Sequence, residues 1–130
     1  MEQRDAIVAV IRRGGRVLVI LRGPAARMPG YWAPLSGTVE AGETQAEALV
    51  REVAEEVGLR VVPGAKVWES ETHDKRFRLH WWTAEAEAGD VVMDPGEVSA
   101  VRWVTAAEFA GLHPVFAEDL VFFDRVLPEL

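Results

Sequence analysis

The 130-residue sequence contains no cysteine. That absence excludes a disulfide scaffold, a thiolate-ligated metal and a cysteine nucleophile. Basic residues are in deficit, with 14 Lys and Arg against 21 Asp and Glu, a formal net charge of −7. A chain of that balance lacks the basic face that a duplex-DNA binder sets against phosphates. Long hydrophobic runs are missing too. The longest near the N-terminus, Ala6 to Ile11, is too short for a signal core or a membrane-spanning helix. The expectation is a cytoplasmic chain with neither duplex nucleic acid nor membrane as partner. What the sequence does have is 49% apolar residues, too many for disorder. At this length they fit one domain over residues 1–130.

The charge is unevenly spread. Residues 1–36 carry six bases and two acids, residues 37–59 carry one base and six acids, and residues 60–130 carry seven bases and thirteen acids. The densest acidic block therefore falls at 37–59. Around it, residues 5–12 and 16–22 are rich in Val and Ile and flank Gly14-Gly15, which predicts two strands joined by a tight turn. Their near-continuous apolar character predicts a sheet covered on both faces. Residues 23–37, with three Pro and three Gly, read as a long loop of the kind that carries function. Thr44 and Glu47 form a capping box, and Gly58 suits a left-handed helix end, so a helix is expected over 45–57. Strands are expected over 59–72, 76–88 and 98–104, and a second capping box, Thr105 and Glu108, precedes a short helix. Phe116, Leu120, Phe123 and Leu127 predict a last helix over 115–127, ended by Pro128. This order predicts an α+β or α/β layered fold with helices packed on a mixed sheet.

On a helical wheel at about 100° per residue, Ala46, Leu49, Val50, Val53 and Val57 form a stripe expected to be buried. Glu52, Glu55 and Glu56 cluster beside it. Carboxylates at i, i+3 and i+4 repel one another, and a plain solvated face would more often interleave Lys. Three acids with no evident cation point to a metal, and oxygen-only donors favour Mg²⁺ or Mn²⁺. The competing reading is a merely solvated acidic face.

The wider spacing decides between them. The run is Gly37, five residues, Glu43, seven residues, Arg51-Glu52-Val53-Ala54-Glu55-Glu56-Val57-Gly58-Leu59. It resembles the Nudix box, G-x5-E-x7-R-E-U-x-E-E-x-G-U with U aliphatic, at every specified position. A chance match in a chain this long is on the order of one in ten million at ordinary residue frequencies. The resemblance implies the Nudix fold, an α/β/α sandwich of a mixed sheet between helices. It also implies divalent-metal hydrolysis of a nucleoside diphosphate linked to another moiety. It matches Glu52, Glu55 and Glu56 to metal ligands, Glu43 and Arg51 to a pair bracing loop against helix, and Gly37 and Gly58 to backbone-shape glycines.

A general base is expected either outside the box at Glu97, in the turn before the strand 98–104, or within it at Glu55 or Glu56. Arg22, at the end of the second strand, resembles the family's phosphate-binding arginine. Trp32 resembles the tryptophan of the lead-in to the box, and either it or Tyr31 is placed to stack on a base or pack on the sheet. Arg27, Lys75, Arg76 and Arg78 are weaker phosphate candidates. His73 and His80 do not make a metal site, and Trp81 and Trp82 must face opposite sides of a strand. The lead-in departs from the family pattern, with Leu35-Ser36-Gly37 in place of Pro-Gly-Gly. The expected partner is a small nucleotide, most simply a (d)NTP or an oxidised (d)NTP cleaved to a monophosphate and pyrophosphate. ADP-ribose and dinucleoside polyphosphates are the alternatives, and a non-catalytic nucleotide-binding module is the reading from another class. A prenyl diphosphate isomerase would need cysteine chemistry that is absent. The chain is expected to act as a monomer or homodimer.

Overall fold

A computed structural model describes residues 2–130. The first two strands, β1 (Arg4–Arg13) and β2 (Arg16–Arg22), meet at Gly14 and Gly15, whose φ values are 57° and 76°. Only a residue without Cβ takes two such angles in succession cheaply. The hairpin pairs near its turn, at Arg12–Val17 and Arg13–Arg16, and then opens into a fork. A third strand, β3 (Trp32–Thr38), fills that fork. It pairs with β1 from Ala6–Thr38 to Ala9–Leu35 and with β2 from Val19–Pro34 to Leu21–Trp32. The loop expected over 23–37 is thus half strand. Pro34 reads as a loop residue in sequence, yet an X-Pro pair prefers extended backbone and fits a strand.

The remaining strands are β4 (Val61–Glu71), β5 (Phe77–Ala86) and β6 (Val98–Val104), close to their expected bounds. The sheet order is β4-β5-β1-β3-β2-β6, with β1 and β5 parallel and the other pairs antiparallel. Helix α1 (Gln45–Val57) covers one face over Ile7, Ala9, Ile11, Leu18, Ile20 and Leu35. The opposite face is covered by α2 (Ala106–Ala110) and α3 (Ala117–Val121). After α3 the chain continues through a wider turn, Phe122–Val126, and a tight one, Leu127–Glu129. This is the expected mixed sheet between helix layers. Trp81 and Trp82 do face opposite sides, the first packed with the α3 layer and the second with the α1 layer.

Both capping boxes form as expected, Thr44 with Glu47 and Thr105 with Glu108. Two helical faces differ from the wheel. On α1, Ala48 is buried and Val50 is exposed, because the helix also turns Glu56 inward. At the C-terminus the helix starts at Ala117, since Val115 is extended and bridges to Trp32. Leu120 consequently faces out, and Phe122 and Phe123 are buried. Pro128 lies inside the closing turn Leu127–Glu129 instead of ending the helix before it. The aromatic layer beneath is dense, with Trp81 stacked on Phe122 at 4.3 Å and Phe109 on Phe123 at 3.9 Å between ring centroids. Phe109 is fully buried, so Phe109→Ala should cost about 3–5 kcal/mol, read as a lower urea midpoint with an unchanged slope.

Candidate active site

Arg51 anchors the box. Its Nε and Nη2 donate to the two carboxylate oxygens of Glu43 at 2.7 and 3.0 Å, and Nη2 also donates to the Thr38 carbonyl at 3.0 Å. One guanidinium therefore ties the end of β3, the loop before α1 and α1 itself. The planar fork makes this geometry specific to arginine. Hydrogen bonds from Arg51, then from the Glu40 backbone, bring the Glu43 carboxyl down to about 2, and the same contact raises Arg51 above its ordinary value. Arg51 also reaches Glu52 at 2.9 Å and Glu55 at 3.3 Å. The acidic cluster thus does have a cation beside it, contrary to the expectation of three acids with no evident cation. A long side chain folds back along the helix surface and escapes a wheel projection.

The three clustered glutamates sit in different surroundings. Glu55 is exposed, Glu52 is half-buried and Glu56 is buried. Glu56 Oε2 is out of solvent and has no hydrogen-bond partner. Burial, then the negative charges of Glu52 and Glu97, push the Glu56 carboxyl up to about 8, against the pull of Arg22. Burial also raises Glu52, which Arg51 partly offsets. Among the described residues no three His, Cys, Asp or Glu side chains already form a closed cage. The donor set nevertheless fits a hard divalent cation. It is all oxygen, it includes a buried acceptor with nothing to bind, and the charges of Glu52 and Glu97 bear on Glu56, which Arg51 does not contact.

Gly37 lies between this acid cluster and a cavity. A Cβ at Gly37 would stand 2.1 Å from Cδ and 2.5 Å from Oε1 of Glu52, so the Glu52 carboxylate lies directly on the Gly37 backbone. The glycine is required for space; Gly58, at φ 67°, is required for backbone shape. Ser36 pairs with Val8 as ordinary strand, so the departure from Pro-Gly-Gly leaves no strained residue there. On the other side, Gly37 borders a cavity of about 470 Å³ on the α3 face of the sheet. Arg22, Phe77, Phe116 and Asp119 are among its walls. Arg22 is half-buried, its pKa is lowered by burial, and it lies in electrostatic reach of Glu56, Asp119 and Glu97. Glu97 is held there by its backbone, since its carbonyl accepts from Gly23 N at 2.8 Å.

The structure therefore sets Glu52 against Gly37, brings Glu56, Glu97 and Arg22 within electrostatic reach of one another, and leaves Glu55 exposed beside Arg51. Trp32 stands apart from the cavity walls, packed in the aromatic layer with Val115. Tyr31 stacks on Phe116 at 4.6 Å. His80 bonds Asp5 at 2.8 Å, and His73 is at the cavity edge. Asp119 escaped notice in the sequence. It lies on a helix read only for its apolar spacing, yet it is a buried carboxyl on the cavity wall, raised to about 7 by burial and by Glu118. An acid inside an apolar stripe was the available signal.

Two outcomes follow. Gly37→Ala should keep the fold, because Glu52 is a flexible chain that can yield, while its displacement lowers any activity of the site about 100-fold; circular dichroism and turnover check both halves. For Glu56, the unfolded chain releases its proton near 4.5 and the folded chain keeps it until about 8. Stability without metal therefore falls as pH rises through that window. Glu56→Gln should melt with the native chain at low pH and roughly 5 °C or more above it at alkaline pH.

With this geometry established, likeness to known proteins assigns the fold to a family. The NUDIX domain family matches residues 1–126. The chain is 34% identical to the NAD-capped RNA hydrolase NudC of Deinococcus radiodurans over 96% of its own length, but spans only 45% of that protein. It is 33% identical to the CTP pyrophosphohydrolase of Escherichia coli, covering 98% of this chain and 93% of that one. A MutT protein structure from Methanosarcina mazei superposes with a TM-score of 0.83 at 24% identity, over 99% and 97% of the two chains. Proteins of this family generally use divalent metal ions. The carboxylate helix, its arginine brace and the sheet behind them thus belong to a recognised whole, and the chain is a member of the NUDIX domain family.

Proposed function

We propose that residues 1–130 form one NUDIX domain that hydrolyses a (d)NTP, or an oxidised (d)NTP, to a nucleoside monophosphate and pyrophosphate with Mg²⁺ or Mn²⁺. The observation that carries this reading is the shared wall at Gly37. An apolar cavity large enough for a base and sugar meets, across one glycine, the carboxylates suited to a cation. Arg22 belongs to both sides, and its guanidinium suits a bridging phosphate. Glu52 and Glu56 would hold the metal, with Glu55 closing in from the rim. The bound cation neutralises phosphate oxygens and makes a water more acidic. Glu97 takes the proton from the attacking water, because it faces Glu56 and Arg22 while Glu55 is engaged by Arg51. The half-buried aromatic walls hold the base, and Asp119 offers its edge a carboxyl that titrates near neutrality. The likeness to a CTP pyrophosphohydrolase over nearly the full length of both chains supports a free nucleotide as substrate.

The test is incubation with Mg²⁺ and a panel of (d)NTPs, ADP-ribose, NADH, dinucleoside polyphosphates and coenzyme A, with identification of products. Monophosphate and pyrophosphate from a (d)NTP are expected. Tight nucleotide binding with no turnover of any compound overturns the hydrolase reading. Glu97→Gln should lower kcat by about 10²–10⁴-fold, and Glu56→Gln should abolish turnover.

A further inference from the structure

The cavity mouth is spanned by a contact that the hydrolytic reading does not use. On one side is the loop 23–31, which leaves β2; on the other is the turn 72–76 between β4 and β5. Arg27 of the loop donates from Nη2 to Asp74 Oδ2 of the turn at 3.0 Å. The same guanidinium lies over the Phe77 ring, with Cζ 4.6 Å from its centroid. Arg27, Asp74 and Phe77 all border the cavity. Each end of the bridge is itself fastened. The Arg27 carbonyl accepts from Arg22 Nε. Asp74 Oδ1 accepts from Thr72 Oγ1 at 2.7 Å and from Arg76 N at 3.0 Å, which leaves Oδ2 for Arg27, with Arg76 Nε farther off at 3.8 Å.

We propose that the Arg27 bridge to Asp74 and Phe77 is a latch across the cavity mouth, closed in the free protein and displaced when a nucleotide enters. The proposal rests on the nucleotide reading of the cavity. Its chemistry is an exchange. A flat aromatic base competes with the guanidinium for the Phe77 face, and a polyphosphate competes with Asp74 for the freed cation. Both latch contacts are half-exposed, at 50% for Arg27 and 43% for Asp74. They are therefore weak enough to open and still able to slow association.

The experiment mixes mant-labelled ATP and mant-labelled CTP with the protein and Mg²⁺ in a stopped-flow instrument. It compares the native chain, Arg27→Ala, Asp74→Asn and the double variant. Asn keeps an oxygen for Thr72 and Arg76 while replacing the acceptor that Arg27 uses. A latch predicts that both single variants associate faster, Asp74→Asn by about two- to fivefold and Arg27→Ala by at least as much. The double variant should be no faster than Arg27→Ala, because that substitution already removes both latch contacts. Simple charge steering predicts opposite signs, since Arg27→Ala removes a cation that attracts the polyanion and Asp74→Asn removes an anion that repels it. A slower Arg27→Ala, or unchanged rates in both single variants, overturns the latch. No fluorescence change with the native chain or any variant overturns the nucleotide reading and the latch with it.

Discussion

Arg51 is the constraint on which the rest of the site depends. Without it, the loop 39–44 would be a polar segment between a strand and a helix, and the angle of α1 to the sheet would rest on its apolar packing alone. The fork onto Glu43 and the bond to the Thr38 carbonyl fix that angle. Once it is fixed, Glu52 must lie on Gly37 and Glu56 must point toward the sheet. Both positions are unfavourable for a carboxylate alone, as the upward shifts of Glu52 and Glu56 show. The brace thus holds two carboxyl groups where burial disfavours their charged form, and a divalent cation is the natural complement. Stability without metal is given up in exchange for a preorganised site.

The parts of the site readable from the sequence are those written in local spacing. The helix 45–57 appears with both its caps, because a capping box and a terminal glycine act within one turn. Glu43 with Arg51 was legible for a similar reason, through a fixed interval in a recognisable motif. The illegible parts depend on tertiary partners. Strand β3 contains proline and small residues, and only the open fork of β1 and β2 makes it a strand. The wheel missed Ala48 and the inward turn of Glu56, because a wheel knows which residues share a face and not how deeply the sheet receives that face. Asp119 was hidden by its neighbours, since helical periodicity weighs apolar residues and passes over an acid that replaces one.

The net charge of −7 also resolves into local roles. The acids of α1 either brace Arg51 or crowd one another beside Gly37. The bases of the first 36 residues include Arg22 and Arg27, which line the same cavity. An overall acidic chain therefore presents cations where a phosphate would travel. Composition alone assigns no such path.

The forked hairpin also bears on how the chain reaches this state. β1 precedes the other strands of the sheet, yet its parallel partner β5 lies more than sixty residues later, from Arg4–Phe77 to Arg12–Glu85. Its other flank is filled by β3, which must enter between two strands already joined at a turn. During synthesis, an apolar strand buried on both faces in the finished fold waits with one edge unpaired until residue 86 has left the ribosome. Folding of the sheet is therefore a cooperative event, and the strands around the Gly37 junction are completed only when the residues of β5 are available.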